Sequence, residues 1–185
     1  MSDWTIVLWN KAHQITTQLD VLESLQPDPE TTPQAHFNFL RTSGYFSEAA
    51  MLIGAALPKI EMINWVCESL PDVGVQDKNR SKRNQLKAHI QRWIDDPDEE
   101  KRRTLFDIVE TSNNEWPETL LALSIFYSGG SIAPENIDSI QPDPIICVQL
   151  AIAALTLAEA SDIHANPEFL SAALDRADQI AKSGR

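Results

Sequence analysis

The sequence predicts an all-α fold: one compact domain over residues 1–185, with about seven or eight helices arranged as α-hairpins packed on central apolar helices. Three observations lead there. Apolar residues recur at helical spacing along most of the chain, and no stretch alternates convincingly with period two. Eleven prolines punctuate these runs, several placed where a helix would begin or end. At 185 residues and 43% hydrophobic content, the chain can bury a sizeable core.

The elements follow in order. Ile15, Leu19, Leu22 and Leu25 predict a helix over 10–25, stopped by Pro27 and Pro29. Thr32-Pro33 supplies an N-cap and a first-position proline for a helix carrying Phe37, Phe39 and Leu40, which ends near Ser43-Gly44. Ser47 is expected to cap the next, with Ala49, Ala50, Leu52, Ile53 and Ala56 as a small packing face. Pro58 opens a third on Ile60, Ile63, Trp65 and Val66. Residues 72–80 and 129–144 read as the main loops. A basic helix runs to about Ile94, with Leu86, Ile90, Trp93 and Ile94 inward. Asp96-Pro97 then starts another, with Asp96 as its cap and Glu99 completing a capping box. Trp116-Pro117 opens a helix through Phe126 that is apolar on most sides. That helix and residues 145–158 should form the centre, with Trp65, Leu123, Phe126, Leu150 and Leu155 almost wholly buried. An amphipathic helix from about Pro167 closes the chain.

Net charge is -12, which argues against a general nucleic-acid or anionic-membrane binder. The charge is unevenly laid out. Residues 78–103 hold nine Lys and Arg against five acids, so that segment is +4 and the remainder -16. Cys67 and Cys147 stand alone in apolar runs, the setting of buried structural thiols rather than of a disulfide framework or metal site. The N-terminus lacks the basic stretch of a secretory signal, and the apolar run Ile145 to Ala158 is short for a bilayer span, so a soluble cytoplasmic protein is expected.

Candidate sites are few. Ser128-Gly129-Gly130-Ser131 could suggest a phosphate cradle, but it follows a helix, and no Lys or Arg occurs between 104 and 175. It lacks the glycine spacing of a nucleophile elbow as well. The reading is a helix stop, in which Gly129 or Gly130 takes positive φ. His13, His36, His89 and His164 are scattered without metal-ligand spacing. The five tryptophans sit mostly at apolar helical positions, as core residues. No catalytic, cofactor or metal residue is assigned. Arg80, Arg83 and Lys87 fall along one edge of the basic helix. They are either a solvated face or a docking patch for an acidic protein partner, and reversing Arg83 and Lys87 is expected to leave stability nearly unchanged.

Three stretches carry a resemblance: "TTPQAHFNFLRTSGYFSEAAMLIGAALPKIEMINWVCESL", "WIDDPDEEKRRTLFDIVE" and "LALSIFYSGGSIAPE". With Pro58, Glu61, Trp65, Trp93, Asp96, Pro97, Arg102, Gly129 and Gly130 as motif positions, the chain resembles an uncharacterised bacterial all-helical domain family whose members often accompany type VI secretion genes. That resemblance implies a cytoplasmic accessory, adaptor or chaperone-like protein and no catalytic residues. Two alternatives stand beside it. One is an immunity protein, since a small acidic fold suits a basic toxin. The other is an enzyme assembled from distant residues, such as Glu61 with His36 or Arg102. The partner and the oligomeric state stay open.

Overall fold

The computed structural model describes residues 3–19, 21–111, 116–134, 136–162, 166 and 168–184. Among them the chain forms α1 (Ala12–Thr16), a 3-10 turn (Glu23–Leu25), α2 (Pro33–Thr42), α3 (Phe46–Ala56), α4 (Lys59–Ser69), α5 (Arg80–Asp95), α6 (Glu99–Glu110), α7 (Pro117–Phe126), α8 (Pro144–Asp162) and α9 (Phe169–Ser183). No strand occurs among the described residues, so the all-α expectation is met.

The proline and cap chemistry explains several boundaries. The Thr32 hydroxyl accepts from the Ala35 amide at 3.2 Å, and Pro33 takes the first position of α2. At the other end Gly44 has φ 82°, with its amide on Arg41 O and the Tyr45 amide on Leu40 O. That pairing satisfies two terminal carbonyls at once. α3 and α4 are joined by two residues, Leu57 and Pro58, with ψ of 151° and 138°.

Three boundaries differ from expectation. The helix foreseen over 10–25 is only the five residues of α1 plus the 3-10 turn. Thr16 turns its hydroxyl to Gln26 at 2.8 Å, and Leu22 is left largely exposed. The helical spacing of its leucines therefore serves a folded-back segment. Ser47 is not a cap: α3 begins one residue earlier, after Tyr45. Asp96 does not cap α6 either. Asp98 does, accepting from the Lys101 amide at 2.7 Å, while Asp96 ends α5. A side chain one residue before the helix reaches N3, which Asp98 does and Asp96 does not.

The core is one cluster, with α7 at its middle against α4, α5, α6 and α8. Trp65 and Leu155 are fully buried and Phe126 nearly so, as expected, but Leu123 and Leu150 are only half-buried. Both lie on the outer edges of α7 and α8, where a helix apolar all round still has one side without a neighbour. On α8 that side is Gln149, Ala153, Thr156 and Ala160, small or polar groups that lose little by facing water. α8 spans 19 residues, longer than expected. Its window Pro144–Ser161 is long and apolar enough to cross a membrane, yet here it packs on α3, α4, α7 and α9. Ser124, an exception in apolar α7, is fully buried and donates to the Cys147 carbonyl at 2.8 Å, fastening α7 to α8. Both cysteines are free and buried, and burial pushes the Cys67 thiol up to about 11.

Candidate functional site

The junction between the start of α6 and the segment after α7 brings together the second and third resemblance motifs. Arg102 is only 4% exposed. Its Nε and Nη2 donate to the two oxygens of Glu99 at 2.7 Å each, a bidentate fork. Nη1 donates to the Phe126 carbonyl and Nη2 to the Ser131 carbonyl at 2.8 Å. The guanidinium carbon sits 4.7 Å over the Phe126 ring. Arg103, one residue on, shares Glu99 at 2.7 Å and reaches the Ser131 and Ala133 carbonyls at 3.1 and 3.2 Å. The Arg102 and Arg103 guanidiniums hold the Glu99 carboxyl below its ordinary range.

The Ser-Gly-Gly-Ser turn is shaped around this pair. Gly130 has φ 69°, and a β-carbon there would lie 3.0 Å from both Arg102 Nη2 and Glu99 Oε2. Gly129 has open space. The positive φ foreseen for one of the two glycines is thus at Gly130, but its role differs from a cap. α7 already ends at Phe126, with the Tyr127 and Ser128 amides bonded back to Leu123 and Ile125. Gly130 bends the chain past the buried guanidinium. Ser128 donates to Ile125 O at 2.7 Å, and the Ser131 hydroxyl accepts from the Ala133 and Ile140 amides at 3.1 Å each. With Ile132 N on Ile140 O at 2.9 Å, the loop is closed on itself. The Lys59 ammonium at the start of α4 holds the Ser128 carbonyl.

Beside this junction lies a groove of about 720 Å³ between α6 and the loop. Phe106 and Phe126, stacked at 4.1 Å and 19°, form its apolar side with Ile132 and Pro134. Glu99, Glu100, Asp107 and Glu110 edge it. A second depression of about 320 Å³ shares Glu99, Arg103 and Pro134 and ends at Ile137 and Ser139. Ile137 and Ile140 are 57% and 53% exposed.

Other predicted positions lie elsewhere. Trp65 is a core residue whose Nε1 donates to Ala173 O at 2.7 Å, joining α4 to α9. Trp93 is buried on the inner face of α5, Pro58 precedes α4, Glu61 is half-buried on α4, and Pro97 is exposed in the α5–α6 turn. His36 is buried with its ring stacked on Phe39 at 5.9 Å. Among the described residues no three His, Cys, Asp or Glu side chains converge as a metal site, and His164 lies outside the described residues.

The basic edge of α5 is not the free row the sequence suggested. Arg80 is exposed, but Arg83 grips Glu118 of α7 through two 3.0 Å bonds and Asp77 through a third at 2.8 Å. Glu118 is 1% exposed. Lys87 is half-buried and donates to the Leu70 carbonyl at 3.3 Å. A carboxylate in an otherwise apolar helix was the signal for an internal partner, because a buried charge needs one.

The pattern of a family of unknown function (DUF6931) matches residues 36–181. The chain belongs to that family. The matched DUF6931 region contains the whole Arg102 junction and both depressions. The segment ahead of it docks onto the DUF6931 core through two indoles, Trp4 Nε1 on Asp178 at 2.8 Å and Trp9 Nε1 on Ala55 O at 3.3 Å. No curated protein and no solved structure matches the chain.

Proposed function

We propose that this chain is a non-enzymatic protein-interaction module, a cytoplasmic accessory, adaptor or chaperone-like component that accompanies type VI secretion. The secretion setting comes from the sequence resemblance. The observation that supports interaction is the loop between α7 and α8. Arginine-to-carbonyl bonds fix its first half, while its second half offers Ile137 and Ile140 to solvent. Large apolar side chains on a pinned loop cost the fold solvation without adding to its core, and pre-ordering lowers the entropy lost on binding.

A photo-crosslinking residue at Ile137, and separately at Ile140, in the native host tests this reading. Adducts with one protein, identified by mass spectrometry, are expected. Folded, expressed protein that gives no adduct from either position would overturn it. The acidic groove favours a second reading, an immunity protein for a basic toxin; there the adduct would be a toxin, and deleting the gene would kill the host only when that toxin is present.

A further inference from the structure

The groove and its neighbouring depression have a chemistry that narrows what fits them. Along α6, Glu100, Thr104 and Asp107 lie within about 60° of one another, with Arg103 and Glu110 adjoining. Glu99 is consumed by Arg102 and Arg103. Glu100, Asp107 and Glu110 are exposed and make no ion pair among the described residues. Arg103, the cation on this edge, already spends its donors on Glu99 and on two loop carbonyls. Three unneutralised carboxylates therefore line the same open groove as Phe106, Phe126, Ile132 and Pro134.

Such a surface needs two things from a ligand. Cations must meet the carboxylate edge, and apolar groups must cover the ring edges and proline. The two depressions share three lining residues and run on to exposed Ile137, so they suit an extended chain rather than one small molecule. We propose that the α6–loop groove binds an extended basic peptide segment of a partner protein, with Arg or Lys alternating with apolar side chains. Its guanidinium or ammonium groups pair with Glu100, Asp107 and Glu110, and its apolar residues seat against Phe106, Ile132 and Pro134. The charge sign is opposite to the one the basic edge of α5 suggested for a partner. This inference rests on the interaction reading above and gives it a site and a partner chemistry.

A short labelled peptide alternating Arg with Leu is the probe, titrated by fluorescence anisotropy against the full chain. The comparison peptides replace Arg by Glu, or Leu by Ser. The Arg–Leu peptide should bind, more weakly as salt rises, and both comparisons should bind at least about tenfold more weakly. The triple variant Glu100→Lys, Asp107→Lys, Glu110→Lys should lose about tenfold or more in affinity. A control triple with the same charge change on exposed acids elsewhere, Glu23→Lys, Asp28→Lys, Glu168→Lys, should lose less than about threefold, the share left to long-range charge. Equal losses in the two triples, or none in either, would overturn the site. A photoreactive form of the peptide locates binding on the unaltered protein, so the answer does not hang on whether the variants fold: adducts within 99–110 or 126–137 support the groove, and adducts elsewhere overturn it. Should Ile137 capture a native partner while the peptide ignores the groove, the interaction reading stands and this inference falls. Failure of both removes both.

Discussion

Arg83 donates two hydrogen bonds to a carboxylate that has almost no contact with water. Removing one member of such a pair strands the other charge, which costs about 3–5 kcal/mol. Arg83→Glu is therefore expected to destabilise the fold by about that amount in reversible denaturation, rather than leave it nearly unchanged. Arg83→Met combined with Glu118→Leu should recover most of the loss; additive losses in the double variant would show that the pair is not coupled. Gly130 gives a second residue-scale test. Gly130→Ala meets both a left-handed backbone and the Arg102–Glu99 pair, so about 2 kcal/mol or more should be lost. Gly44→Ala meets only the backbone strain and should lose about 1 kcal/mol, and Gly129→Ala should be close to neutral. The midpoint order in urea checks all three.

At the scale of elements, α7 shows how packing sorts residues that look alike in sequence. Leu121 is fully buried and Leu123 half-buried, although both sit in the same apolar run. Leu121→Ala should cost about 2–5 kcal/mol, and Leu123→Ala should cost clearly less, because a partly exposed site leaves no closed cavity. Equal losses would mean that the outer edge of α7 is covered. The same reasoning explains the first helix. Its leucines have helical spacing, but the chain turns back after Thr16, whose hydroxyl donates to Gln26 just past the 3-10 turn. At α6 the sequence placed the start correctly to within two residues and chose the wrong aspartate. The composition DDPDEE offers several caps, and only the path of the chain decides which oxygen reaches an amide.

For the whole molecule, acid should be destabilising in two stages. Burial holds His36 below its ordinary value of 6.5, with a bond to the Leu25 carbonyl opposing that shift. Its Nε2 has no hydrogen-bond partner among the described residues. The unfolded chain takes up a proton on His36 as pH falls through 6.5, and the folded chain resists it. The stability this histidine contributes is thus complete above that pH and declines as pH drops toward its folded value. Glu99, held down by Arg102, adds a second decline below 4.5. Urea midpoints from pH 8 to 4 should fall, and His36→Gln should flatten the part between pH 7 and 5. An unchanged slope in that variant would place the histidine's proton uptake in both states alike.

The sequence by itself determined the helical class, the proline-marked starts of α2 and α7, the burial of Trp65 and a likeness to a family of unknown function. Those are local matters: propensity, spacing and a cap or proline act over a few residues. The glycine turn was legible as a backbone requirement, but its purpose was not. Only the tertiary structure showed that Gly130 clears room for Arg102, 28 positions earlier, and that Arg83 answers Glu118, 35 positions later. Charge patterning along one helix counts cations without knowing which carbonyls and carboxylates other helices bring to them. The apparent basic surface of α5 was therefore partly internal, and three exposed carboxylates with no ion pair among the described residues stand along α6. Ion pairing is settled by distance in space, and that distance exists only once the helices are packed.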